Sequence, residues 1–147
     1  MAATAWAVHD TIKEYIGNKL VDFDVDEFII ILGADASNMT TTSVNAYASV
    51  TSEVSTNYGY TQGTKALTTL AWSQAAGTAT FDSGNPVWTA SGGSIVARKA
   101  AIYDNDVAAP VADPILCSSS LSSGDITATT GNTFTVTMHT SGIFTLA

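Results

Sequence analysis

Apolar positions change their spacing along the chain. Between residues 11 and 20, Ile12, Tyr15, Ile16 and Leu20 recur at three- and four-residue intervals, the stripe of an amphipathic helix. Asp10 and Thr11 offer side-chain oxygens to its first turn, and Glu14 stands three after Thr11 as in a capping box. Trp6 and Val8 lie just ahead and extend the stripe as an arm. A helix of about ten residues containing Gly17 does not persist alone in water, so this one must dock, on its own sheet or on a neighbour. Trp6, Ile12, Tyr15, Ile16 and Leu20 are therefore candidate subunit-contact residues.

From residue 28 the spacing becomes that of strands. Residues 28–32, Phe-Ile-Ile-Ile-Leu, are a continuous β-branched run ended by Gly33, the pattern of a strand buried on both faces. Residues 44–54 predict one helical turn and then a short strand. Residues 58–63 predict a turn, and residues 65–73 a single strand. Residues 78–81 and 87–89 predict a hairpin around residues 82–86. Residues 95–103 predict one long strand whose central Arg98 and Lys99 point to opposite faces, so that one of them must sit at an edge, be paired or snorkel. Residues 115–117 and 125–129 add short strands. In residues 133–140, Phe134, Val136 and Met138 alternate with Thr133, Thr135, Thr137 and His139, and residues 143–146 return after the Ser141-Gly142 turn. About seven to nine short strands with regular turn signals predict a mainly β fold: an antiparallel β-sandwich or jelly-roll-like domain with a short N-terminal helix. The expected division is an N-terminal arm and helix over residues 1–27 and a β-sandwich domain over residues 28–147.

Composition narrows the functional classes. Five Lys and Arg stand against thirteen Asp and Glu, a net charge of −8, and charged residues make up 12% of 147. Nucleic acid is not an expected partner, because phosphate neutralisation needs a cationic stripe. No window approaches the roughly 20 apolar residues of a membrane span, and the N-terminus lacks the basic start and long apolar run of a signal peptide. Synthesis in a cytoplasm, without a membrane partner, is expected. Cys117 is the only cysteine, which excludes an intrachain disulfide and a Cys-based zinc site. Ser and Thr dress the strands in place of charge, and uncharged edges lack the Lys guards of solitary sheets. That favours surfaces covered by copies or partners.

Candidate chemistry is sparse. Asp22, Asp24 and Asp26 begin like a calcium loop, but the sixth and twelfth positions hold Glu27 and Gly33 where Gly and Glu are needed. Period-2 spacing instead puts the three carboxylates on one face of an extended segment, either simply solvated or an adventitious cation site. His9 and His139 have no ligand-like spacing to another donor, Asp104 and Asp106 read as turn formers, and Cys117 sits in an apolar triplet. No nucleophile elbow, phosphate-cradling loop or His-Glu-x-x-His occurs, so neither an enzyme nor a cofactor or metal is expected. Tyr58, Tyr60, Trp72 and Trp88 are candidate ligand or interface aromatics, read either as core or as a glycan-binding face.

An ordered series of motifs carries a family resemblance. Glu53-Val54-Ser55 followed by Tyr58-Gly59-Tyr60-Thr61-Gln62-Gly63 resembles a signature of small structural proteins of tailed bacteriophages. Ala66-Leu67-Thr68, Ala79-Thr80-Phe81-Asp82 and Val87-Trp88-Thr89-Ala90 follow in order. So do the Ala-Arg-x-Ala-x-Ile-Tyr run of residues 97–103, the Asp-Pro-Ile-Leu of residues 113–116, Phe134-Thr135-Val136 and the closing residues 142–146. The similarity spans residues 28–147 and departs at Lys99 and Thr64. It implies a non-enzymatic virion β-sandwich of the capsid decoration or cement family. Its expected place is the outer capsid surface, and its expected partners are the major capsid protein and copies of itself, as a trimer or other small homo-oligomer. The alternative is a tail- or fibre-associated adhesion module binding a host surface glycan.

Overall fold

A computed structural model describes residues 6–147, with strand β2 (Phe28–Gly33) at the heart of the largest sheet. In chain order the elements are β1 (Ala7–Val8), helix α1 (Asp10–Gly17), β2, a 3₁₀ turn (Tyr47–Ser49), β3 (Lys65–Ala66), β4 (Ala71–Ala75), β5 (Thr78–Asp82), β6 (Val87–Thr89), β7 (Ile95–Ala97), β8 (Lys99–Asp104), β9 (Ile115–Ser120), β10 (Ile126–Ala128), β11 (Thr133–Thr135) and β12 (Phe144–Leu146). The sheets are antiparallel: a five-stranded sheet ordered β1-β9-β8-β2-β3, the pairs β10-β7 and β11-β6, and a three-stranded sheet β12-β5-β4. The fold is mainly β and β-sandwich-like, with one short N-terminal helix.

The all-apolar β2 run is explained by its two neighbours. Phe28, Ile30 and Leu32 face the main core with Ala100, Ile102, Leu116, Phe81 and Phe134. Ile29 and Ile31 face a second core with Met39, Ala101, Tyr103 and Ile115, closed over by Val44, Tyr47 and Val50 of the long loop after β2. That loop supplies the covering layer that a strand buried on both faces needs.

Several strand expectations are corrected. Residues 65–73 are not one strand: Thr69 has a positive φ of 54°, which breaks the run into β3 in the large sheet and β4 in the three-stranded one. Residues 95–103 divide at Arg98 into β7, paired with β10, and β8, paired with β2 and β9. Arg98 is the paired member of the two cations, with ion pairs to Asp35 at 2.6 Å and Asp125 at 2.8 Å that push its pKa up. Lys99 lies at the other face, where Nζ donates to the carbonyls of Asp35 and Ser37. β5 and β6 do not pair with each other; β5 lies between β4 and β12, and β6 pairs with β11. β12 accordingly closes against β5. Residues 44–54 form the 3₁₀ turn but no strand, and β9 runs three residues beyond the expected 115–117. In residues 133–139 only β11 is laddered, yet Phe134, Val136 and Met138 are buried as the alternation predicts.

The arm and helix join the same core as the sheets. β1 pairs with β9, and Trp6, Ile12 and Tyr15 are buried in the cluster that holds Phe28, Ile102 and Leu116. α1 spans residues 10–17 with His9 at its N-cap and no side-chain cap bond, so the capping box does not form. It ends earlier than residue 20 because Lys19 takes a positive φ of 57°. Lys19 N–H then donates to the Ile16 carbonyl and Leu20 N–H to the Tyr15 carbonyl, a Schellman closure without glycine.

Candidate functional site

The five contact candidates separate by exposure. Trp6, Ile12 and Tyr15 are spent within the protomer, where the Tyr15 hydroxyl also accepts the Val111 N–H, and so they are not available to a neighbouring subunit. Ile16 is half-buried, and Leu20, 36% exposed, turns outward at the helix end.

The chain after Leu20 is a turn, which corrects the extended reading of residues 22–27. The Asp22 carbonyl accepts from Val25 and Asp26 N–H, while the Asp22 carboxylate accepts the Asp24 N–H at 3.0 Å and the Asp26 carboxylate accepts the Asp22 N–H at 2.6 Å. Two of the three carboxylates are thus engaged with the turn's own backbone. Among the described residues no group of three or more His, Cys, Asp or Glu side chains is placed to hold a metal ion. The turn throws Val25 outward, 78% exposed, and drives Phe23 inward. The Phe23 ring stacks on Trp72 at 4.4 Å and contacts Phe28, Phe81 and Phe144. Phe23 was hidden in the sequence between two aspartates; its only signal was an aromatic residue in an otherwise acidic run.

Ile16, Lys19, Val21, Asp22, Phe23, Asp24 and Trp72 line a cleft of about 340 Å³. One helix end, one turn and one edge strand build it. It offers an aromatic plane with both signs of charge at its rim, a surface that can seat an apolar side chain or a sugar ring.

The other aromatics do not join it. Tyr60 and Trp88 are buried, and Tyr58 lies partly exposed over Gly93. Tyr60 belongs instead to a hydrogen-bond hub centred on Glu53. Glu53 Oε1 accepts from the Tyr60 hydroxyl at 2.7 Å and from Gly63 N–H at 3.1 Å, and Oε2 accepts from the Tyr47 hydroxyl at 2.8 Å. The Tyr60 oxygen in turn accepts the Leu32 N–H at 2.9 Å. Burial, and then the Glu53 carboxylate, push the Tyr47 phenol well above its ordinary value, so it stays a donor. Tyr47 stacks on Tyr103 at 4.5 Å, and burial raises the Tyr103 phenol to about 12.

The remaining titratable candidates are structural. His9 is buried between the Val44 carbonyl at Nδ1 (2.6 Å) and the Ser118 hydroxyl at Nε2 (2.8 Å), and burial holds its pKa down. A neutral ring donating at Nδ1 and accepting at Nε2 satisfies both bonds. Cys117 is fully buried, and burial pushes its thiol up, away from the thiolate a nucleophile needs. His139 is exposed and accepts the Ser141 N–H at Nδ1. Asp104 is a turn former, as expected, accepting at Oδ1 from Asp106 and Val107 N–H, but it is also fully buried. Burial first, and then the nearby Asp26 carboxylate, push its pKa up to about 7 against those two bonds. Asp106 fastens this loop to the acidic turn by accepting the Glu27 N–H at 2.7 Å. Compared with known protein families, curated proteins and solved structures, the chain matches none of them.

Proposed function

We propose that this chain is a structural virion protein that binds the assembled phage capsid as a decoration or cement protein. It would act on the outer capsid surface, against the major capsid protein and other copies of itself, as a trimer or other small homo-oligomer and without a catalytic step. The observation that supports this reading best is the placement of the Glu53-Val54-Ser55 to Gly63 signature. Its Glu53, Tyr60 and Gly63 belong, together with Tyr47, to the hub that ties the loop to β2, so the resemblance lies in residues that make the fold rather than in surface decoration. The acidic composition and the uncharged edge strands of the smaller sheets agree with it. A protein that binds the lattice and not its loose subunits stabilises the shell by mass action, about 2.7 kcal/mol per site at a hundredfold excess over Kd.

Quantitative protein staining of purified virions tests it. Hundreds of copies per particle, with capsids that survive heating better when it is present, are the expected result. The alternative, a tail- or fibre-associated module binding a host glycan, draws on the Trp72 cleft with its Lys19, Asp22 and Asp24 rim. It predicts a few copies or tens per particle, and that count would overturn the cement reading.

A further inference from the structure

We propose that Asp104 and Asp26 form a proton-operated clasp, which holds the acidic turn of residues 22–27 on the five-stranded sheet and keeps Phe23 stacked on Trp72. Asp104 ends β8 opposite Phe28 and is fully buried. Its Oδ1 accepts the Asp106 and Val107 N–H groups, but no N–H or O–H donor among the described residues reaches its buried Oδ2. The group set against this carboxyl is the half-buried Asp26 carboxyl, within hydrogen-bonding reach. Two carboxyl groups so placed hold together only with a proton between them. Both ionised, they repel and leave a buried charge short of donors.

No neighbouring cation takes the place of that proton. Residues 20–28 and 104–114, which form the turn and the loop packed against it, contain no Lys, Arg or His, and Asp22, Asp24, Glu27, Asp106 and Asp113 add only further carboxylates. β2 and the entry to β9 flank Asp104 with Phe28 and Pro114, which do not titrate. Lys19, the cation next in sequence, lines the cleft with Asp22 and Asp24. Among the described residues no third acid completes a metal site, whereas a proton needs only the two oxygens it joins.

Asp26 also closes the turn. Its carboxylate accepts the Asp22 N–H at 2.6 Å, and the Asp22 carbonyl accepts the Val25 and Asp26 N–H groups. Phe23 is held inside this closure. Ionised, Asp104 pushes Asp26 away, and the turn keeps only the bonds of Glu27 to Asn105 and Asp106. Phe23 then parts from Trp72, and the cleft loses its aromatic floor. The closed turn binds a proton that the open turn releases, so closure is firmest at low pH. It weakens as pH rises from about 4, the ordinary aspartate value, to about 7, where the buried group titrates, and is level above that.

Amide hydrogen exchange of the full chain tests the clasp. Corrected for the intrinsic pH dependence of exchange, protection of the Asp22, Val25 and Asp26 amides should fall about tenfold or more between about pH 5 and about pH 7.5. The Asn57 and Tyr60 amides, which close an unrelated turn, should hold theirs. Asp26→Asn and Asp104→Asn each place an N–H donor between the two residues, and both should keep the acidic turn protected across the range. Asp106→Asn, which still accepts the Glu27 N–H, should retain the wild-type fall. Constant protection of the turn while the stability of the whole chain falls would overturn the clasp. So would an Asp106→Asn variant that abolishes the fall as completely as Asp104→Asn, because the general field of the acids would then be the cause.

Discussion

Two carboxyl groups, Glu53 half-buried and Asp104 fully buried, show how environment divides one chemistry into two roles. Glu53 is surrounded by donors, two phenols and an amide, and anchors the loop. Asp104 is buried among fewer donors: its Oδ1 takes two N–H bonds, while its buried Oδ2 takes none and the Asp26 carboxyl lies nearby. The folded protein therefore holds the Asp104 proton up to about pH 7, whereas an unfolded aspartate releases it near about 4. Between those values the folded state binds more protons than the unfolded one, so stability falls as pH rises through this window and levels off above it. Asp104→Asn keeps an oxygen for the Asp106 and Val107 amides and offers an N–H toward Asp26. It should raise stability above pH 7 by about 1–3 kcal/mol and flatten the slope. Denaturant titrations at a series of pH values check both, and a wild-type slope retained in the variant would refute the assignment.

At the scale of elements, the outcome depended on whether a signal was local. The β2 run was legible because six buried residues in succession admit few alternatives, and the inward alternation of Phe134, Val136 and Met138 was legible even where the ladder ends. What failed were the joints. Thr69 and Lys19 adopt positive φ without being glycine or asparagine, a choice that tertiary contacts impose and no residue type announces. Partner choice failed as well: β5 and β6 are neighbours in sequence, but β5 pairs with β4 across a two-residue turn and with the distant β12, and β6 pairs with β11, more than forty residues away. The cleft was only half legible, because its aromatic floor needs Phe23 to meet Trp72 across that topology. The turn at residues 57–60 shows a joint that could be read. Asn57 and Tyr60 exchange backbone bonds around Tyr58 and Gly59, and Gly59 has φ +92° with the Thr89 carbonyl where a Cβ would project. Gly77 shares the positive φ but faces open space. Gly59→Ala should cost about 2–4 kcal/mol and Gly77→Ala about 1 kcal/mol, separating collision from conformational strain in denaturant midpoints. Equal costs would remove the collision argument.

For the whole molecule, the question is whether the N-terminal segment is an arm or part of the core. An arm held for a neighbour keeps its apolar side chains outward and can be removed without loss of the domain. Here β1 extends the five-stranded sheet, His9 ties β9 to the loop after β2, and Trp6, Ile12 and Tyr15 lie against the main cluster. Burying each large apolar side chain contributes about 1.5–3 kcal/mol, so these three account for about 5 kcal/mol or more, comparable with the whole net stability of a typical domain. Their removal also uncovers Leu116 and Cys117 on β9 and leaves its edge unpaired where Ala7 and Val8 had closed it. A chain lacking residues 1–20 should therefore lose its cooperative thermal transition altogether, as followed by circular dichroism or calorimetry. Its failure to bind particles would then report unfolding and not a missing contact. Leu20→Ser, changing a residue that is already outward, should leave the melting temperature within about 2 °C of wild type and is the variant that isolates a surface role for the helix end. A truncated chain that still melts cooperatively near the wild-type temperature would restore the separable arm.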